Sequence, residues 1–273
     1  MTAEPPAWVS ELARRCGTCC VGSALRFQAS ASSSNDLARE WLDQDGPDGL
    51  VVVVGEQTAG RGRRGRRWES PAGLGLYFSV GLRPKLGAEQ LHLLTFLGAV
   101  ASAEGLRQQG VEADIRWPND IEVRGRKLSG ILVETRVEGT QMMSAILGVG
   151  INLRQAPEDF PGELAMVATS VRMVQGRDPD AGATLEAILA RLEHWYTGLS
   201  EAGAGERLLA RWKELAPGHR GQQVQVETGA DSFPAITDGV EADGALRVRR
   251  QDGGKVVLRV EELRRLRPLD AGS

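Results

Sequence analysis

Cysteine is scarce in this 273-residue chain and confined to one place: Cys16, Cys19 and Cys20 are the only three. A disulfide framework needs cysteines spread along the chain, so none is expected. Cys16 and Cys19 have the spacing of a zinc half-site or a redox pair. No second pair follows and none of the three histidines lies nearby, so reduced thiols are the better reading. Long apolar runs are missing as well. None reaches the roughly 18 residues of a membrane span, and the N-terminus lacks the apolar core of a secretory signal. A cytoplasmic protein with no membrane partner is expected. Positive charge is not in surplus: 33 Lys and Arg against 36 Asp and Glu leave a net charge of −3. A dedicated nucleic-acid binder usually carries a basic excess. Internal repeats and low-complexity segments are absent too.

What the chain does have is glycine and, in one place, arginine. Its 34 glycines stand well above the roughly 7% average. Residues 60–68 read Gly-Arg-Gly-Arg-Arg-Gly-Arg-Arg-Trp, with five arginines and three glycines in nine residues. They follow the β-branched run Val51 to Val54, a buried strand by composition. Glycine lets backbone N–H groups approach a ligand and adopt positive φ. Arginine brings permanent charge and a planar fork of donors suited to phosphate and carboxylate. The segment reads as an anion clamp. Like charge and backbone entropy also predict a loop that moves when the site is empty.

Gly60, Gly62 and Gly65 match the spacing of a dinucleotide fingerprint. That motif needs a helix opening at its third glycine and an acidic residue about twenty positions on. Here Pro71 and Gly73 follow instead, and residues 79–88 hold no acid. A phosphate-binding P-loop pattern is absent. An RNA-binding Arg-Gly segment would be repeated and disordered, whereas this one is single and lies between strands.

Around the loop the pattern is mixed. Residues 1–22 hold one short amphipathic stretch, Trp8 to Arg15, too short for a DNA-binding helix-turn-helix domain. A helix follows Ser33–Asn35, which offer its N-cap. Residues 88–108 form the clearest helix, with Leu91, Leu94, Leu97 and Val100 on or near one face. Residues 75–82, 115–117, 121–123, 128–135 and 142–151 read as strands, largely in hairpins. Helices over 184–199 and 206–215 precede Pro217-Gly218. Beyond that, four or five short strands suggest a small β-barrel. The expected class is α+β: a mixed, largely antiparallel sheet with packed helices. The divisions fall at 1–22 (an extension), 23–217 (the main domain) and 218–273.

Single features have ordinary readings. Ser33–Asn35 alone is a helix cap, Trp117-Pro118-Asn119-Asp120 a turn, and Lys127 a solvated lysine. His92 and His194 read as structural. Their conjunction says more. Ser33-Ser34-Asn35, Gln57 with the arginine loop, Arg116 to Asp120, Lys127-Leu128-Ser129-Gly130-Ile131-Leu132-Val133-Glu134 and Gly148 to Asn152 occur in this order. Together they resemble the biotin–protein ligases, the biotin–[acetyl-CoA-carboxylase] ligase family, over roughly residues 24–268.

The resemblance implies a catalytic domain like that of class II aminoacyl-tRNA synthetases, followed by an SH3-like barrel. It implies two steps: biotin and ATP form biotinyl-5′-AMP, and a lysine of a biotin carboxyl carrier domain takes the biotin. Lys127 and Arg63 carry the catalytic roles. Ser33, Ser34, Asn35, Gln57, Gly60, Arg61, Arg63, Lys127 and Gly130 are the implied biotin contacts. Arg63, Arg66, Trp68, Arg116, Asn119, Asp120, Lys127 and Asn152 are the implied ATP or adenylate contacts. Asp120 is the candidate Mg²⁺ ligand, and no tightly bound prosthetic group is implied. The family usually has Lys where Arg116 stands, which replaces a point charge by a fork. The type resembled is monofunctional, without operator DNA as a partner, and a homodimer is one assembly open to it. A lipoate ligase or octanoyltransferase of the same superfamily is the alternative.

Overall fold

A computed structural model describes residues 4–16, 20–229 and 231–269. Cys19, and with it the Cys16–Cys19 pair, lies outside the described residues; Cys16 itself is buried.

Helix α1 (Ala7–Arg15) leads into strand β1 (Leu25–Gln28), helix α2 (Ser34–Asp43) and strand β2 (Leu50–Val54). After the arginine loop come β3 (Gly75–Leu82), α3 (Leu91–Gln108), β4 (Asp114–Arg116), β5 (Asp120–Val123), β6 (Arg126–Glu138) and β7 (Gln141–Asn152). These seven strands form one sheet in the order β1-β2-β3-β7-β6-β5-β4. The β1–β2 pair is parallel and all other neighbours are antiparallel. Short helices α4 (Leu164–Val167) and α5 (Val171–Gln175) precede α6 (Ala181–Thr197) and α7 (Ala204–Leu215). A second sheet is wholly antiparallel. Its strands are β8 (Arg220–Thr228), β9 (Ser232–Val240), β10 (Leu246–Arg250), β11 (Lys255–Leu258) and β12 (Leu263–Pro268), ordered β11-β10-β9-β8-β12.

The pleat divides the core. Alternate residues of a strand point to opposite faces. Val51 and Val53 of β2 enter the main core, while Leu50, Val52 and Val54 enter a smaller one under α2. In β3, Leu76, Phe78, Val80 and Leu82 face the main core and Tyr77 the smaller one. A continuous apolar run such as Val51 to Val54 is therefore what a strand covered on both faces requires. Helix α2 starts at Ser33, whose hydroxyl accepts from the Asn35 amide at 3.2 Å.

The expected apolar face of α3 proves too narrow. Residues from Leu93 to Leu106 are buried almost all round, because strands pack on one side and α6 and α7 on the other. Strands β1 and β12 escape the pattern reading. In β1 the alternation Leu25-Arg26-Phe27-Gln28 is only four residues long, and in β12 the adjacent Arg264 and Arg265 break the alternation.

Within α3 one carboxylate is buried. Glu104 is 8% exposed and accepts from Arg191 Nε and Arg211 Nε, each at 2.7 Å, and from Trp195 Nε1 at 3.0 Å. Burial pushes its carboxyl up, but these hydrogen bonds outweigh burial and hold it below the ordinary glutamate range. The group ties α3, α6 and α7 together. Glu104→Ala strands three donors and is expected to cost about 2 kcal/mol, since both arginines still reach water. Urea unfolding of the variant against wild type measures this.

Candidate active site

Residues directly opposite one another on neighbouring strands share a face. One such row crosses the whole main sheet: Gln28, Val54, Tyr77, Gly150, Gly130, Asp120 and Arg116. The next holds Val52, Ser79, Gly148 and Leu132. The α2 face is thus polar at β1, where Gln28 and Arg26 lie, apolar on β2 and at Tyr77, nearly bare in the middle and charged toward β4.

The bare glycines are already in contact with side chains. A Cβ built on Gly148 would lie 2.2 Å from Asn35 Oδ1. One on Gly150 would lie 2.4 Å from Trp68 Nε1, and one on Gly130 3.3 Å from Trp68 Cζ3 and 3.5 Å from Lys127 Nζ. Asn35 and the Trp68 indole therefore rest on backbone.

Beside them lies a small polar pocket. Ser34 donates to Gln57 Oε1 from its amide at 2.9 Å and its hydroxyl at 3.2 Å. Gln57 Nε2 donates to Ser70 Oγ at 2.8 Å. Ser79 Oγ sits 2.7 Å from Ser34 Oγ and 2.6 Å from Asn35 Oδ1. Asn35 Nδ2 donates to Glu134 at 2.7 Å. A Cβ on Gly60 would lie 3.1 Å from Gln57 Nε2 and 2.5 Å from the Trp68 carbonyl oxygen, so glycine is needed there.

The arginine loop wraps this ground, and each of its five arginines has its own acceptor. Arg61 grips Asp36 with two hydrogen bonds, 2.6 and 2.8 Å, and stands 3.6 Å from Glu134. That hydrogen bonding holds the Asp36 carboxyl below its usual range and pushes Arg61 up. Arg63 donates to the Val260 carbonyl at 2.9 Å and to Asn119 Oδ1 at 3.5 Å. Burial lowers its pKa, opposed by the charges of Asp120 and Glu261. Arg64 donates to the carbonyls of Leu263 and Glu261, and Arg66 to that of Arg264 at 2.6 Å. Arg67 pairs with Glu69 at 3.2 Å. The expected self-repulsion is offset acceptor by acceptor.

Lys127 Nζ lies 2.6 Å from Asp120 Oδ1 and 5.4 Å from the centre of the Trp68 ring. Asn119 Nδ2 donates to the Ile131 carbonyl at 2.5 Å, which fixes the turn after β4 against β6. Arg116 donates to the Leu266 carbonyl and lies 3.8 Å from Glu122. Asn152 is buried, donates to the Thr169 carbonyl at 3.0 Å and accepts from Gln155 at 3.2 Å.

The fold thus gathers Ser34, Asn35, Gln57 and Gly60 at one end and Arg63, Trp68, Asn119, Asp120, Lys127 and Gly130 at the other. Ser33 is spent as the α2 cap. Arg66 and Arg116 turn to the second sheet, and Asn152 braces the chain after β7. Sequence reasoning missed Asp36, Ser70, Ser79 and Glu122, and gave Glu134 no role. Asp36 and Glu134 adjoin or end quoted motifs; Ser79 carries no signal until β3 lies beside α2. Among the described residues, no group of three or more His, Cys, Asp or Glu is placed to hold a metal ion. An open cleft of about 610 Å³ near Arg83, Lys85, Glu89 and Met143 lies at the opposite end of β3 and gathers no such groups.

Geometry of this kind defines an α+β protein that gathers basic side chains beside a glycine-lined stretch of one sheet face. Residues 27–152 match the family described as Biotin/lipoate A/B protein ligase. The bifunctional ligase/repressor BirA of Bacillus subtilis is 35% identical over 93% of this chain and 78% of its own length. The biotin–[acetyl-CoA-carboxylase] ligase of Paracoccus denitrificans is 32% identical over 76% of this chain and 86% of its own. Among solved structures, the biotin protein ligase from Aquifex aeolicus in complex with biotin and ATP superposes with a TM-score of 0.74. It is 26% identical, covering 90% of this chain and 99% of that one. The chain belongs to the biotin/lipoate A/B protein ligase family.

Two outcomes follow from the site's packing. Gly150→Ala must displace the Trp68 indole, because the new methyl would sit 2.4 Å from Nε1. A shift in tryptophan fluorescence and a loss of about 1–3 kcal/mol in urea unfolding are expected. The Glu122 carboxyl is half-buried, with Oε2 shielded and without a hydrogen-bond partner; burial, with the charges of Asp114 and Asp120, holds it above its ordinary range against the opposing charge of Arg116. The folded state resists its ionisation and the unfolded chain does not. Stability should therefore fall as pH rises from the ordinary glutamate value toward the raised one. Glu122→Gln is expected to unfold at higher temperature than wild type at pH 7, with the gain vanishing near pH 4; thermal unfolding at both values reads it.

Proposed function

We propose that this chain ligates biotin to a lysine of a biotin carboxyl carrier domain, using ATP and passing through biotinyl-5′-AMP. The observation that carries the proposal is the meeting of Arg63, Asn119, Asp120 and Lys127 beside the Ser34–Gln57 pocket, on glycine backbone. Relatives at 30 and 32% identity are named biotin–[acetyl-CoA-carboxylase] ligases, which favours biotin over lipoate. The monofunctional, cytoplasmic reading travels with this proposal, as does a division into 1–22, 23–217 and 218–273. Among the described residues no helix is long and apolar enough to cross a membrane.

The chemistry needs two anions to meet. The biotin carboxylate attacks the α-phosphorus, the bond to the β-phosphate oxygen breaks, and pyrophosphate leaves. Like charges about 4 Å apart repel by roughly 4 kcal/mol at the effective dielectric of a protein surface. Arg63 and Lys127 offset that repulsion. Arg63 supplies a planar fork for carboxylate or phosphate, and Lys127 a compact charge where the transition state gathers negative charge. Ser34, Asn35 and Gln57 offer donors and acceptors in a buried setting, suited to the neutral ureido group of biotin. Trp68 offers an aromatic face to the adenylate, while its Nε1 lies buried against the Gly150 backbone. In the second step the carrier's neutral lysine amine attacks the acyl carbon, AMP departs and the amine loses a proton.

Magnesium bound to nucleotides takes one or two protein carboxylates and completes its shell with phosphate and water. Asp120 fits that demand as a single donor, and the ion would neutralise phosphate charge there. A nucleotide phosphate would then take over Lys127, the present partner of Asp120.

The substrate test is pyrophosphate release from MgATP with biotin or with lipoate. Turnover with biotin alone is expected; equal or greater turnover with lipoate would move the protein to the sister activity. Lys127→Ala is expected to slow adenylate formation by at least ~10²-fold, with a smaller change in biotin binding. Near wild-type adenylation in that variant would reduce Lys127 to solvated surface.

A further inference from the structure

We propose that Arg64 is a positioning residue: its guanidinium fastens the arginine loop to the turn between β11 and β12, and so sets where Arg63 and Arg66 stand. Arg64 has no assigned part in binding either substrate. Its two terminal nitrogens reach different carbonyls, that of Glu261 in the turn, at 2.8 Å, and that of Leu263 at the start of β12. No carboxylate pairs with it among the described residues, whereas Arg61 and Arg67 are held by Asp36 and Glu69. Its backbone is left-handed, φ 58° and ψ 36°, a conformation that disfavours any residue with a Cβ. Glycine stands on both sides, at 62 and 65, and would suit the position better on backbone grounds. The side chain is what an arginine adds there.

The flanking arginines hold the same turn and the start of β12. Arg63 donates to the Val260 carbonyl at 2.9 Å and Arg66 to that of Arg264 at 2.6 Å. A neutral carbonyl is a weaker partner for guanidinium than a carboxylate or phosphate. Arg63, which also lies 3.5 Å from Asn119, and Arg66 can therefore exchange a carbonyl for an arriving anion. Arg64 keeps the turn and the start of β12 through its two nitrogens while they do so. The second sheet thereby serves as the loop's abutment, joined through backbone atoms that any side chains at 260–264 would supply.

The test uses the full chain with Arg64→Ala, Arg64→Gly and Arg64→Lys. Its first arm is amide hydrogen exchange without substrates, so it stands apart from the ligase reading. Arg64→Ala is expected to speed exchange ~10-fold across residues 61–67 and 260–266, with β2 and β3 unchanged as the sign of an intact fold. Arg64→Gly should loosen both segments as much, although glycine relieves the backbone. Arg64→Lys should recover only part, since an ammonium lacks the fork. The second arm rests on the proposed ligase activity. There Arg64→Ala should raise the KM for ATP ~10-fold and speed biotinyl-AMP release, with biotin affinity within about twofold of wild type. Unchanged exchange over 260–266 in Arg64→Ala overturns the proposal. So does full recovery by lysine, or loosened segments with wild-type KM and adenylate release. Absence of any pyrophosphate from the wild-type protein would sink the ligase reading instead, leaving the exchange arm to decide the fastening.

Discussion

Five guanidinium groups within seven residues cannot be held together without acceptors, and finding those acceptors organises the molecule around its site. Arg61 reaches back to Asp36 on α2 and toward Glu134 on β6. Arg63, Arg64 and Arg66 reach forward, across nearly two hundred residues, to backbone carbonyls of the second sheet. Arg67 is held locally by Glu69. The loop is thus tied between the first helix of the main sheet and the last strands of the chain. Two different kinds of partner are used. Carboxylates hold the end of the loop that faces α2, and neutral carbonyls hold the middle. Within the loop, the single carbonyls held by Arg63 and Arg66 yield more readily to an incoming anion than a carboxylate does, so ligand charge can enter there.

Beneath the loop, the sheet provides room by omission. Gly130, Gly148 and Gly150 fall in two adjacent cross-strand rows, where side chains would otherwise fill the space under α2. Asn35 and Trp68 occupy that space and lie against bare backbone. The opposite face of the same strands carries Leu147, Val149, Ile151 and Ile131 into the main core. A rigid, doubly covered sheet therefore presents one apolar side to α3 and one permissive side to a ligand. Glu104, clamped by Arg191, Arg211 and Trp195, keeps the helices behind that sheet in place.

The charged end of the row carries the same logic of exchangeable partners. Lys127 is neutralised by Asp120, and Arg116 by Glu122 and a carbonyl of β12. With these partners the cations can stand close together. In the proposed reaction a nucleotide phosphate would replace Asp120 as the partner of Lys127, exchanging one charge pair for another. That substitution costs less than desolvating free cations.

Much of this was legible in the residues themselves. The arginine loop announces anion chemistry by composition, Val51 to Val54 announces a strand covered on both faces, and the ordered motifs announce a ligase family. Those readings depend on local properties: charge, glycine content and the period of apolar residues. The tertiary structure alone decided the rest. Only the register of β3, β7 and β6 places Ser79, Gly148 and Gly150 under Asn35 and Trp68, because a shift of one residue would turn each to the other face. Only folding brings Val260 to Arg264 to the loop, and there the recognising atoms are backbone carbonyls, which no residue pattern can mark. Nor could α3 be seen as buried on nearly all sides until α6 and α7 were placed against it. Sequence by itself determined what kinds of charge and backbone the site would hold; the fold determined which partner each charge has.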